Sequence, residues 1–262
     1  MSPGAAGPTP ARAVVVHPDA EVLAAAVAAR LLTRLLDVQS VRRPAHVVVT
    51  GGTIGIAILA AVAASPLLGV VDWTGVHVWW GDERFLPAGD PDRNETQARA
   101  ALLDALTGAL TGALPAANVH PMLGSGAPGI ASPEDSAARY ALELAAFADD
   151  DAQVAVPAFD VLMLGVGPDG HVASLFPGRA GLAVTGVTTV GVHDSPKPPP
   201  ERVSLTFDAI HAAREVWLVA SGTAKAAAVA AALGGAAGAE IPAAGATARS
   251  RTLWLLDAEA AG

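Results

Sequence analysis

Cysteine is absent from the 262 residues. That excludes disulfides, thiolate metal ligands and a cysteine nucleophile, and it leaves the redox compartment open. Charge is sparse at 16%, and 16 Lys and Arg stand against 25 Asp and Glu, for a net charge of −9. Nucleic-acid binders need a basic footprint, so nucleic acid is not an expected partner. A small anionic substrate stays compatible, because a few local cations can hold one inside an acidic protein. The Ala-rich stretches are broken by Arg, Pro or Gly before they reach 18 strongly apolar residues, so no membrane span is expected. Residues 1–10 lack a basic n-region and an apolar h-region, and they read as a frayed tail rather than a signal peptide. A cytoplasmic protein follows as the default. The seven histidines show neither H-x-x-x-H nor H-x-H spacing, which speaks against a zinc site. Gly124-Ser125-Gly126 is only a fragment of a serine-hydrolase elbow.

What the chain does contain is apolar residues, 52% of the total and much of it alanine. That is ample for a core and too apolar for disorder. Short β-branched or apolar runs predict strands at 13–16, 46–50, 76–80, 119–121, 159–164, 184–192, 203–206, 215–220 and 252–256. Helices are predicted over 21–36 with Asp19 as N-cap, and over 56–64, ended by Ser65-Pro66. Others follow at 133–148, after Ser132-Pro133-Glu134-Asp135, and from Thr223. Asn94 or Thr96 is expected to cap a further helix running to about 106, and 172–176 and 207–213 read as short helical segments. The remainder of 107–132 reads as a long irregular connection, and Asp149-Asp150-Asp151 as a solvated terminus. Strands alternating with helices imply an α/β fold with a mostly parallel sheet and helices on both faces. No internal repeat or Ser/Gly linker divides it, so residues 11–262 are expected to form one domain.

Four segments and one further lysine carry chemistry. Phe159-Asp160-Val161-Leu162-Met163-Leu164 suits a buried strand and runs into Gly165-Val166-Gly167-Pro168-Asp169-Gly170-His171. That turn delivers Asp169 and His171 to the carboxyl end of the strand, where open α/β sheets bind ligands. Thr50-Gly51-Gly52-Thr53 follows another strand and precedes a helix. Such a turn either cradles an anion on free N–H groups and a positive helix end, or merely lets strand and helix pack closely. Asp82-Glu83-Arg84 follows the strand 76–80, at the expected sheet edge, and is otherwise an exposed charged loop. The proline-stiffened stretch 194–202 presents Lys197 and Arg202, and suits phosphate recognition better than a floppy loop; its plain alternative is a linker between strands. Lys225 stands in the first turn of a helix, where a cation opposes the dipole and a nearby anion would compensate it.

Taken together, Thr50-Gly51-Gly52-Thr53, Trp80-Gly81-Asp82-Glu83-Arg84 with Asn94, the stretch 164–178 around Asp169-Gly170-His171, and the stretch 195–206 resemble the 6-phosphogluconolactonases of the glucosamine-6-phosphate isomerase/6-phosphogluconolactonase family. The match keeps order and spacing from about residue 14 to 257. The resemblance implies the fold of sugar-phosphate isomerases and deaminases. It implies hydrolysis of 6-phospho-D-glucono-1,5-lactone to 6-phospho-D-gluconate, the second step of the oxidative pentose phosphate pathway, by a monomer or small homo-oligomer. One departure is Thr53-Ile54-Gly55 where the family commonly reads Ser-Thr-Pro, which loses a hydroxyl and a proline.

Lactone hydrolysis needs a base for water and a donor for the carbonyl oxygen, with no metal or cofactor. His171 is the expected base. Asp169 would orient the ring or the water, and Arg84 would donate to the carbonyl oxygen or a hydroxyl. Asp82 would hold Arg84 or bind a hydroxyl. Gly51, Gly52, Thr53, Lys197, Arg202 and Lys225 are the expected phosphate groups. The rivals are a deaminase-type isomerase and a non-catalytic sugar-phosphate binder. The deaminases typically carry a glutamate five residues after the histidine, and here that position is Phe176.

Overall fold

The computed structural model describes residues 11–108, 113–150 and 152–262. The expected tail at 1–10, Asp151 and part of the 107–132 connection lie outside the described residues. Seven parallel strands form the main sheet in the order β1 (Ala11–His17), β10 (Arg251–Asp257), β9 (Glu215–Ala220), β6 (Val161–Gly165), β2 (Ala45–Val49), β3 (Val76–Trp80), β5 (Val119–His120). A second sheet of three antiparallel strands is ordered β4 (Asp82–Arg84), β8 (Arg202–Leu205), β7 (Thr189–Val192).

Successive side chains of a strand point to opposite faces, and the main sheet divides its apolar residues accordingly. Val47, Val49, Val161, Met163, Trp217 and Val219 join one core cluster. Helices α1 (Ala20–Val41) and α2 (Gly52–Ala63) cover it, α1 burying Leu23, Val27, Leu31, Leu35 and Val38 at three- and four-residue spacing. Val48, Leu162, Leu164, Val216 and Leu218 join the other, under the helix Pro133–Ala145. Burial on both faces is why these strands read as unbroken apolar runs.

The connectivity places the site. From β2 the chain moves outward through β3 to β5, then returns to β6 on the other side of β2 and continues to β9 and β10. The order in which strands are added therefore reverses between β2 and β6, and a crevice opens at the carboxyl ends of strands at such a point. The two strands there carry the Gly51 and His171 turns.

Several expectations needed correction. Helix α1 runs on to Val41, beyond the expected end at 36, and α2 begins at Gly52, inside the glycine turn. Residues 172–176 are not helical, because Ala173 has φ +49° and Val172 bridges to both Val166 and Leu175. Of the strand expected at 184–192 only Thr189–Val192 pairs, being the part alongside β8. Asp82–Arg84 is a strand rather than a loop, since β8 runs beside it. Neither Asn94 nor Thr96 caps helix α3 (Asn94–Ala98), whose N-cap position is Arg93 with no side-chain bond. Glu83 does that work from β4: Oε1 accepts from Asn94 N at 2.7 Å and Oε2 from Glu95 N at 2.8 Å. Asp19 and Ser132 cap as expected, Ser132 with Asp135 in a full capping box.

Candidate active site

After Gly165 the chain tightens. Gly170 N donates to Gly167 O at 3.0 Å and Gly167 N to His171 O at 2.9 Å, with Gly170 at φ +79°. The turn brings Asp169 Oδ1 to 2.5 Å from His171 Nδ1. Gly167 lies directly beneath this pair: a Cβ there would sit 2.0 Å from Nδ1 and 2.5 Å from Oδ1. No other residue fits, so the glycine is a condition of the dyad. A carboxylate can only accept, so Nδ1 carries the proton of the neutral ring and Nε2 keeps the free lone pair. Partial burial pushes the Asp169 carboxyl up. The hydrogen bond from His171, the charge that ring carries when protonated, and the charge of Lys197 outweigh that and hold it at about 2. The ring packs on Phe176, with centroids 4.5 Å apart.

His171 opens on a cleft of about 920 Å³. Gly51, Gly52, Thr53, Asp82, Arg84, Lys197, Arg202 and Lys225 line it too, while Asp169 reaches it through His171. The residues picked out by sequence thus meet in one place. The arrangement of each is informative.

Helix α2 starts on the cleft with Gly51 at its N-cap and no side chain closing its first turn, so free N–H groups and the positive helix end face the cavity. A Cβ on Gly51 would meet Asn94 Oδ1 at 1.9 Å, and Gly52 sits at φ +77°. Thr50 Oγ1 accepts from Gly165 N at 3.2 Å, tying the β2 and β6 turns together.

The period of β4 sorts its three charges. Asp82 and Arg84 line the cleft, while Glu83 turns into the interior, 3.7 Å from Arg93. Burial pushes the Glu83 carboxyl up to about 7, against Arg93 and three backbone N–H groups. Arg84 does not pair with Asp82; its Nη1 donates to Asp92 O at 2.5 Å. Asp82 Oδ2 instead accepts from Ser174 Oγ at 2.6 Å, with Arg202 Nη1 3.9 Å away.

Antiparallel pairing sets Arg84 opposite Arg202. Arg202 spends much of its guanidinium on the proline loop: Nε donates to Pro199 O at 3.2 Å, and Nη2 to Lys197 O at 3.1 Å and Pro198 O at 3.2 Å. Lys197 itself is pushed down by burial, an effect that Asp169 opposes and Arg202 reinforces. Lys225, which holds the N-cap position of the helix Ala226–Leu233, is pushed down by burial and then by Lys197. Cations close enough to depress one another, in a chain of net charge −9, describe an anion site.

Sequence reasoning missed Thr50 and Ser221 as cleft residues and Ser174 as the partner of Asp82. Thr50 stood in the quoted glycine turn, so its position was available. Ser174 lay in a stretch that reads as helix, which hid its direction. Among the described residues, no group of three or more His, Cys, Asp or Glu is arranged to hold a metal ion. No helix among them is long and apolar enough to cross a membrane.

A parallel sheet with an acid–imidazole pair and a cluster of cations at its switch point defines an α/β protein of the sugar-phosphate-handling class. The description "Glucosamine-6-phosphate isomerases/6-phosphogluconolactonase" fits residues 18–254, and the chain belongs to that family. The 6-phosphogluconolactonase of Streptomyces coelicolor is 55% identical over 248 residues, 95% of this chain and 93% of that one. The 6-phosphogluconolactonase of Mycobacterium leprae is 46% identical over 249 residues, 95% of this chain and 96% of that one. In solved structures, 6-phosphogluconolactonase from Trypanosoma brucei superposes with a TM-score of 0.79 at 28% identity, covering 97% of this chain and 98% of that one.

Proposed function

We propose that this chain is an enzyme hydrolysing 6-phospho-D-glucono-1,5-lactone to 6-phospho-D-gluconate, with His171 activating the water. The observation that carries the reading is the His171–Asp169 pair set over Gly167 at the mouth of a cation-lined cleft. The 55% identity to a lactonase over nearly the whole chain supports the substrate class.

His171 Nε2 takes a proton from water as its oxygen attacks the lactone carbonyl, and Asp169 stabilises the imidazolium that forms. Arg84 donates to the carbonyl oxygen as charge develops there. When the tetrahedral intermediate collapses, the ring C–O bond breaks and the imidazolium returns its proton to the leaving oxygen. The products are a hydroxyl and a carboxylic acid that ionises. The open turn at Gly51, Gly52 and Thr53, with Lys197 and Lys225, holds the phosphate. Arg202 adds charge and keeps the Lys197 loop in shape. At Phe176 an apolar ring packs against the imidazole, so no second carboxylate adjoins it at that position. One water then suffices, where aldose–ketose chemistry needs proton shuttling among carbons.

The test is release of 6-phosphogluconate above the spontaneous rate from freshly generated lactone, by wild type and His171→Ala. The variant should lose on the order of 10²–10⁴-fold in kcat while still binding product. Retained turnover would remove His171 as the base; absence of turnover in the wild type would favour the sugar-phosphate binder.

A further inference from the structure

We propose that Ser174 is a positioning residue, locking the His171 turn to the small sheet that carries Arg84 and Arg202. This rests on the reading of His171 as the base.

The base follows a strand of the main sheet while Arg84 and Arg202 stand on the small one, with the Phe176 ring against both His171 and Arg202. Ser174 joins the two sides. It is 1% exposed and stands three residues after His171. Its Oγ donates to Asp82 Oδ2 on β4 at 2.6 Å, and its backbone N–H donates to Ser204 Oγ on β8 at 3.1 Å. Ser204, wholly buried, passes its own hydroxyl proton to Leu205 O at 2.9 Å. Asp82 and Ser204 are themselves register partners. One residue therefore bonds adjacent strands of the small sheet at the same rung.

Between His171 and Ser174 the chain passes through Ala173 at φ +49°, a left-handed conformation that a side chain disfavours. Such a residue persists only where its surroundings over-determine it. The two Ser174 bonds and the Val172 bridges do so here. The bond also commits the Asp82 carboxylate, which points at the turn rather than at Arg84. In this arrangement Asp82 acts through Ser174 as an anchor. Catalysis is sensitive to misplacement at the ångström scale, so loosening this tie should slow the chemistry more than it weakens binding.

The experiment compares Ser174→Ala, Ser204→Ala and His171→Ala with wild type, measuring kcat, KM, the dissociation constant of 6-phosphogluconate and the thermal midpoint. Ser174→Ala is expected to lower kcat about 30-fold, with KM and product affinity within about threefold of wild type. Ser204→Ala breaks the second tie from the other side, touches no ligand, and is expected to lower kcat about fivefold with product affinity unchanged. Should Ser174→Ala not fold, Ser204→Ala decides alone. A folded Ser174→Ala with wild-type kcat and a lowered midpoint would show a merely structural bond and overturn the proposal. So would an equal loss of kcat and product affinity. If His171→Ala turns over normally, the base reading fails; if it is dead while both serine variants match wild type, only the positioning proposal fails.

Discussion

Two groups of histidines occupy opposite ends of the same sheet, and their contrast shows what makes an imidazole chemically available. His171 stands at the carboxyl end in a glycine turn, bonded to one carboxylate and open to a cation-lined cleft. His46, His77 and His120 belong to β2, β3 and β5, with His46 and His77 near the amino ends of their strands. His77 Nδ1 lies 2.8 Å from His120 Nε2, whose Nδ1 lies 2.7 Å from Glu143 Oε1, and Trp79 Nε1 donates to His46 Nδ1 at 3.1 Å. Trp79 stacks on His120 with centroids 3.8 Å apart. Burial, then His77 and His120, drives His46 down to about 3; burial, then His120, takes His77 to about 4. His46 and His77 are thereby held neutral as packing material. The difference lies in the surroundings: glycine and space at one end, aromatic rings at the other.

The contrast can be broken most directly at Gly167. In Gly167→Ala the new methyl overlaps both His171 and Asp169, so kcat should fall on the order of 100-fold while the fold persists. Circular dichroism with a lactonase assay checks both; a normal rate would mean that the dyad geometry is not what matters.

The buried histidines should show themselves in stability instead. The folded-state pKa values of His46 and His77 lie below the ordinary value, so the unfolded chain binds protons that the folded chain refuses. The sign follows: their contribution is full above about pH 6.5 and is lost as pH falls toward the folded values. Between pH 7 and pH 5, His46 alone should cost about 2 kcal/mol of unfolding free energy. Glu83, raised to about 7, contributes with the opposite sign over the same range, so the measured quantity is the difference in urea-midpoint pH dependence between wild type and His46→Leu. A dependence that His46→Leu leaves unchanged would place this ring in contact with water.

The smallest effect sharpens the cleft. Lys225→Ala and Lys197→Ala should each raise KM for the phosphorylated lactone about tenfold, close to 1.4 kcal/mol. Neither should change KM for the unphosphorylated analogue. Equal effects on both substrates would move the phosphate elsewhere.

Much of the site was legible because its parts are local. Gly165 to His171 is one turn, and the need for glycine at 167 is set by residues two and four positions away. The capping box at Ser132 and the strands at 76–80 and 215–220 are local too. What sequence could not place was decided by partners distant along the chain. Asp82-Glu83-Arg84 became a strand because residues 202–204 pair with it. Asp82 turned from Arg84 to Ser174, 92 positions away. Arg202 was expected to serve phosphate alone, and its neighbouring carbonyls draw much of its hydrogen bonding.

By itself the sequence determined the alternation of strand and helix, the glycines that shape both turns, and the inventory of acid, base and cations. These follow from periodicity and backbone sterics, which act over a few residues. Only the tertiary structure decided that β6 returns beside β2, that two sheets face each other across one cleft, and which histidine stays open to it. Burial and long-range pairing set those outcomes, and both are properties of the assembled chain.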